Sequence, residues 1–283
     1  MGTRTHIEPP FGEYALPTQR ERLRLTAQGC RDTRLGRWRT SLARKRAIKG
    51  LKEPFDVTVD EAFGVKARLY PTTNRCEKRA LCGVDIWDYA ERNALCNHIE
   101  TFGLKQPYVF LDIGANVGLY SLFAHGFAKR TGRDIRLIAV EPSSEMGARL
   151  SVNAAASQAN IELWRCAIAA EAGEVFLSDG GGNRGEGQLA ESGERVTAMT
   201  LLQFCETRDV RRIDALKLDI EGQDLPVLTQ FFEQASGSLH PNMLILEIDE
   251  TSEAPLIELV QANNYLINTR TRMNIVVTKR DNT

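Results

Sequence analysis

The run Val109-Phe110-Leu111-Asp112-Ile113-Gly114-Ala115-Asn116-Val117-Gly118-Leu119-Tyr120 decides how this chain is read. An apolar strand enters a glycine-bearing turn, and the turn opens a helix. In a doubly wound α/β sheet the carboxyl edge of such a strand is where ligands sit. Gly114 and Gly118 let the backbone turn and approach a ligand without a side-chain clash. The spacing is not the dinucleotide pattern G-x-G-x-x-G, because Asn116 stands at its second glycine. Asp112 at the strand end is a poor neighbour for the pyrophosphate that pattern serves. It suits the ammonium of an amino-acid moiety, reached through a water. Both features weigh against a nicotinamide-dependent dehydrogenase.

Downstream, apolar runs alternate with helical spacing, as in a parallel sheet with crossover helices. The expected strands are Tyr108–Ile113, Ile135–Glu141, Ile161–Ala167, Ile213–Asp219 and Met243–Ile248. Such near-continuous apolar runs fit strands covered on both faces. The expected helices are Leu119–Lys129, Ser144–Ala156, Asp224–Gln234 and a shorter Thr200–Glu206. Glu174–Leu177 reads as a further strand, followed by the glycine-rich loop Gly180–Gly185, an insertion beside the third strand. Tyr265–Asn268 and Asn274–Lys279 read as a terminal hairpin, giving a mostly parallel seven-stranded sheet.

Chemistry recurs at the strand ends. Glu141 closes the second strand and can accept from both hydroxyls of an adenosine ribose. Pro142 ends that strand, and Ser143 or Ser144 caps the next helix. Cys166 and Ala167 are small and apolar, suited to an adenine face. The fourth strand ends Lys217-Leu218-Asp219-Ile220-Glu221-Gly222. Asp219 is the first candidate for a base or acceptor orienter, Glu221 the second, and Glu247 on the fifth strand can hold another acceptor hydroxyl. Asn183 in the glycine-rich loop is a candidate to close over the acceptor. Paired acids can also hold a divalent metal, but no histidine joins them by spacing, and no metal is expected. His6, His98, His125 and His240 read as structural.

The chain has 283 residues, 42% hydrophobic and 26% charged, with a net charge of −1, which argues against wholesale nucleic-acid binding. Charge is nonetheless uneven: from Arg20 to Lys49 only Glu21 and Asp32 oppose a crowd of Arg and Lys. Residues 1–52 read as a basic arm, with a helix over Leu35 to Leu51. Its charge suits contact with an acidic partner, a membrane surface or a lipid-linked anionic acceptor, the alternative being a solvated or partly disordered extension. Residues 53–106 read as a lead-in layer, with strands Phe55–Val59 and Gly64–Tyr70 and a helix from Asp85 to Phe102. Residues 107–283 form the ligand-binding domain. No run approaches the roughly 18 apolar residues of a membrane span. Six cysteines at irregular spacing form no metal or redox pair, and with no secretion segment the expected location is the cytoplasm.

The segments Leu111–Gly118, Val140–Pro142, Leu216–Gly222 and Leu246–Ile248 resemble those of the FkbM family of methyltransferases. So do the loop Asn183–Gly185 and the run Thr197–Phe204, and the resemblance spans about Phe55 to Lys279. It implies a class I, Rossmann-like fold and S-adenosylmethionine as methyl donor, with S-adenosylhomocysteine as product. It also implies O-methylation of a sugar, glycan or small-metabolite hydroxyl. Asp112, Gly114, Ala115, Asn116, Gly118, Glu141, Pro142, Ser143, Cys166 and Ala167 are the residues placed at the cofactor. One departure is visible: Gln223-Asp224 stand where the family usually has a hydrophobic or small residue and then Glu. A nucleic-acid acceptor held by the basic arm is the alternative, disfavoured because no aromatic platform is interleaved with those charges. The oligomeric state is not set by the sequence.

Overall fold

The computed structural model describes residues 9–178, 189–190, 192–220 and 222–280. The basic stretch carries two helices, α1 (Thr18–Thr26) and α2 (Arg34–Ile48), where one was expected. The first escapes a pattern search because polar anchors rather than an apolar stripe hold it. Arg24 is fully buried, paired with Glu21, and donates to the carbonyls of Thr58 and Leu81. Residues 9–52 therefore lie against the lead-in layer. That layer comprises the hairpin β1 (Phe55–Asp60) and β2 (Val65–Leu69), a short α3 (Arg75–Ala80), and α4 (Tyr89–Thr101). Helix α4 begins later than Asp85 because Asp88 has φ of 42°, a left-handed conformation that a right-handed helix cannot include.

The ligand-binding domain opens with β3 (Tyr108–Ile113), α5 (Leu119–Thr131), β4 (Ile135–Val140), α6 (Ser144–Ser157) and β5 (Ile161–Trp164). Then come β6 (Ala167–Ile168), β7 (Gly173–Leu177), β8 (Leu189–Ala190), β9 (Glu194–Met199) and α7 (Leu201–Thr207). The chain finishes with β10 (Ala215–Leu218), α8 (Asp224–Gln234), β11 (Met243–Glu247), α9 (Glu253–Ala262), β12 (Tyr265–Arg270) and β13 (Asn274–Lys279). Seven strands form the main sheet in the order β12-β13-β11-β10-β3-β4-β5. All neighbours are parallel except β13, which runs against both β11 and β12. The expected third strand is divided: Ile161–Trp164 stays in this sheet, while Ala167–Ile168 pairs with Ala198–Met199 in a second sheet of β6, β9, β7 and β8.

Alternate residues of each strand feed two cores, as a sheet covered on both faces requires. Phe110, Leu137 and Ile245 pack toward α4, α5 and the β1–β2 hairpin. Leu111, Ile138, Leu216 and Leu244 pack toward α7, α8 and α9. Strand order reverses outward from β3, with β4 on one side and β10 on the other, and that reversal is where a doubly wound sheet leaves a crevice.

One buried ion pair locks the hairpin to the start of the described chain. Arg68 binds both oxygens of Asp56 at 2.7 and 2.9 Å, and Asp56 also accepts from the Gly12 and Tyr14 amides. Burial works to raise the Asp56 pKa, but the Arg68 and backbone hydrogen bonds outweigh it and hold the carboxyl below its usual range. Arg68→Leu leaves that carboxylate buried without its cation, and we expect a loss of about 3–5 kcal/mol at neutral pH. Because the native pKa is depressed, the Asp56 contribution is present above the unfolded value and lost as pH falls through the native one. Urea melts should therefore show the gap between wild type and variant narrowing below the usual Asp range.

Candidate active site

The glycine turn is shaped by contacts that leave no room for a side chain. Gly114 has φ of +71°, and a Cβ there would lie 1.9 Å from the carbonyl oxygen of Asp219. The tips of β3 and β10 thus touch through a bare Cα. Asn116 is also left-handed, at φ of 52°, and its side-chain oxygen accepts from Asn74 at 2.9 Å. Gly118, at φ of +81°, leads into α5 with Leu150 packed against it.

Glu141, just beyond β4, is aimed back at this turn. One of its oxygens accepts from the Asn116 amide at 2.7 Å and the other from the Ser143 amide at 2.9 Å. Burial pushes its carboxyl up to about 7, against the pull of those donors. Each oxygen keeps a free lone pair for a further donor.

At the tip of β10 the chemistry is ionic. Lys217 is buried, lies opposite Asp112 in register, and bonds Asp219 at 2.9 Å. Asp219 is opposed by burial but held below its usual range by the Lys217 charge and by a hydrogen bond with Glu247. Asp224 at the start of α8 is driven up to about 7 by burial and by the negative charge of Asp219. Opposite the strand tips, Asp88 accepts from the Tyr120 hydroxyl at 3.2 Å and is shifted upward, first by burial and then by Glu91.

Gly114, Asn116, Glu141, Asp219, Asp224 and Asp88 rim one cleft of about 520 Å³. Of the residues singled out in the sequence, Gly114, Asn116, Glu141, Pro142, Ser143, Cys166, Ala167, Asp219 and Glu247 line it. Asp112, Ala115 and Gly118 build the turn from behind. Asp112 is 1% exposed, and one of its oxygens accepts from the Ser121 amide and hydroxyl while the other meets no donor among the described residues. Glu221 and Asn183 fall outside the described residues. The opposite wall was not anticipated: Asn74, Arg75, Cys76, Arg79, Trp87 and Asp88 come from the lead-in layer. Lys217 was legible as a lone charge inside an apolar strand, though no role was assigned to it.

A parallel sheet closed by an antiparallel strand, with a glycine turn and a buried acid at its reversal, is the fold of class I S-adenosylmethionine-dependent methyltransferases. Residues 112–267 match the model of the "Methyltransferase FkbM domain", and the chain belongs to that family. Among solved structures it is similar to a SAM-dependent methyltransferase from Agrobacterium tumefaciens, with 14% identity, TM-score 0.46, and 81% of this chain and 70% of that one covered. A second is a precorrin-6y C5,15-methyltransferase from Geobacter metallireducens GS-15, with 11% identity, TM-score 0.43, and 70% and 89% covered. A third is a Pyrococcus abyssi tRNA (uracil-54, C5)-methyltransferase in complex with S-adenosyl-L-homocysteine, with 11% identity, TM-score 0.43, and 81% and 44% covered. Among curated proteins none matches in sequence.

The cleft fits the family's cofactor, S-adenosylmethionine. The bare Gly114 admits close approach, and Glu141 keeps lone pairs facing the cleft for a hydroxyl donor, while Asp112 supports the turn from behind. We propose that Glu141 accepts the ribose hydroxyls as a carboxylate. We expect donor affinity to weaken as pH falls through about 7, by up to about tenfold per unit. Glu141→Gln should bind weakly with a flat pH profile, and calorimetric titration across that range checks both.

Proposed function

We propose that the chain transfers the methyl group of S-adenosylmethionine to a hydroxyl oxygen of a glycan or small-metabolite acceptor. The observation that carries this reading is the Asp219–Glu247 pair on the cleft wall beside the glycine turn, with buried Lys217 bonded to Asp219 from behind. When bound, the cofactor supplies an electrophilic methyl carbon on sulfur. The chain's own work is to orient an oxygen toward that carbon and to take its proton.

Asp219 is suited to both tasks. Lys217 keeps it anionic, so it accepts a hydrogen bond from the acceptor hydroxyl and fixes the lone pair that attacks. A carboxylate below its usual range is a weak base toward a free alcohol. As the new oxygen–carbon bond forms and the carbon–sulfur bond breaks, however, the hydroxyl proton becomes strongly acidic, and Asp219 can then take it. The Asp219 side chain is 38% exposed, which leaves a path for the proton to solvent. Glu247, half-buried and hydrogen-bonded to Asp219, is placed to hold a second acceptor hydroxyl.

No helix among the described residues is long and apolar enough to cross a membrane. The six cysteines, each free, suit the reducing cytoplasmic setting we propose.

Asp219→Asn should leave donor affinity near normal and lower turnover by roughly 10²–10⁴-fold. Full turnover in that variant removes Asp219 from the mechanism. Labelled-methyl transfer into a host cell extract, followed by identification of the product, tests the acceptor class. An O-methylated glycan or metabolite is the expected product, and methylated RNA or a C- or N-methyl product overturns the reading.

A further inference from the structure

Helix α2 has two unlike faces. Gly36, Thr40, Ala43 and Ala47 are buried, at spacings of three and four residues that define one side. Thr40 packs against Gly83, and Ala43 clusters with Ala27 and Cys82, so this side is fixed to the body. The opposite side presents Leu35 at 61% and Trp38 at 60% exposure, with half-buried Leu42 beside them. Around these apolar side chains stand Arg34, Arg39, Lys45, Arg46 and Lys49, all exposed and none paired with an acid among the described residues. Residues 33–52 hold eight of the chain's 36 Lys and Arg and none of its 37 Asp and Glu. Apart from Arg37, paired with Asp32, and Arg44, turned to the Lys78 carbonyl, folding leaves this charge facing outward. It has gathered the charge around a protruding Trp-Leu pair.

We propose that this face of α2 docks the protein on an anionic membrane surface. A ring of cations around a projecting indole and leucines is the chemistry of an interfacial helix, in which Trp sits at headgroup depth and Lys and Arg meet lipid phosphates. A nucleic acid would use the same cations, but it would leave Leu35 and Leu42 in water, and Trp38 is the lone aromatic of the helix, too little for a stacking platform. The face lies behind the cleft wall: Arg44 on α2 donates to the Lys78 carbonyl on α3, the helix that supplies Arg75, Cys76 and Arg79 to the cleft. Docking there sets the cleft beside the bilayer. The proposal does not rest on the chemistry of the acceptor.

The full chain should co-sediment with phosphatidylcholine vesicles containing phosphatidylglycerol and not with phosphatidylcholine alone, and the binding should fall steeply with salt. Brominated lipid should quench Trp emission in the wild type and fail to do so in Trp38→Ala. With about fivefold for each cation near the surface, Arg39→Gln/Lys45→Gln/Lys49→Gln should weaken vesicle binding by about a hundredfold. All these positions are exposed, and unchanged thermal melting would confirm that the variants stay folded. No binding to anionic vesicles, equal binding to neutral ones, or binding that leaves Trp38 unquenched overturns the proposal. So does tight duplex-RNA binding that the triple variant abolishes while vesicle binding is unaffected.

Discussion

The Lys217 ammonium is buried within the sheet, opposite Asp112 in register and bonded to Asp219, and the geometry of the cleft follows from it. Burying an ammonium costs several kcal/mol even after relaxation. Here two acids on neighbouring strands offset that cost, and Lys217 is held protonated: burial disfavours its charge, while Asp219 and Asp112 more than compensate. A buried ion pair is weak evidence for stability, because a well-packed apolar residue often serves as well. Its value in this sheet is positional. The ammonium fixes the Asp219 carboxylate at the rim and keeps it charged, and the same charge balances Asp112 beneath the glycine turn.

Backbone contact completes the arrangement. Because a Cβ at Gly114 would collide with the Asp219 carbonyl, the turn after β3 and the exit from β10 can meet only over a glycine. That contact joins the half of the cleft that carries Glu141 to the half that carries Asp219 and Glu247. The two halves then differ electrostatically. Glu141 is satisfied by backbone amides and sits near neutrality. Asp219 is tied to a cation and stays ionised. One fold edge therefore presents a hydrogen-bonding acid and a fixed negative charge, with no histidine among the described residues of its wall.

What the sequence made legible is what local patterning encodes. Apolar strands, glycine turns and acids at strand ends follow from nearest-neighbour chemistry, and Gly114, Glu141 and Asp219 could be placed on one edge before any coordinates. The lead-in wall could not be. Asn74, Arg79 and Asp88 reach the cleft through tertiary packing of a short helix and a left-handed residue, and neither leaves a periodic trace. The division of the third strand was hidden for a similar reason. Ala167 and Ile168 are apolar enough to continue it, and only pairing with distant Ala198 and Met199 diverts them. Helix α1 was missed because Arg24, the residue that anchors it, is of a type almost never fully buried, and its partners lie at Thr58 and Leu81.

The arm and the cleft are mechanically one unit. Arg24 bonds carbonyls on both β1 and the turn after α3, and Arg44 bonds α3 itself. Any displacement of α1 or α2 must break these bonds or carry the cleft wall with it. The Leu81 carbonyl is buried, and leaving it without its donor costs about 1–3 kcal/mol, so the second course is the easier one. The basic face and the reactive edge thus keep a fixed relation. Whatever the arm engages therefore also determines which direction the opening of the cleft faces.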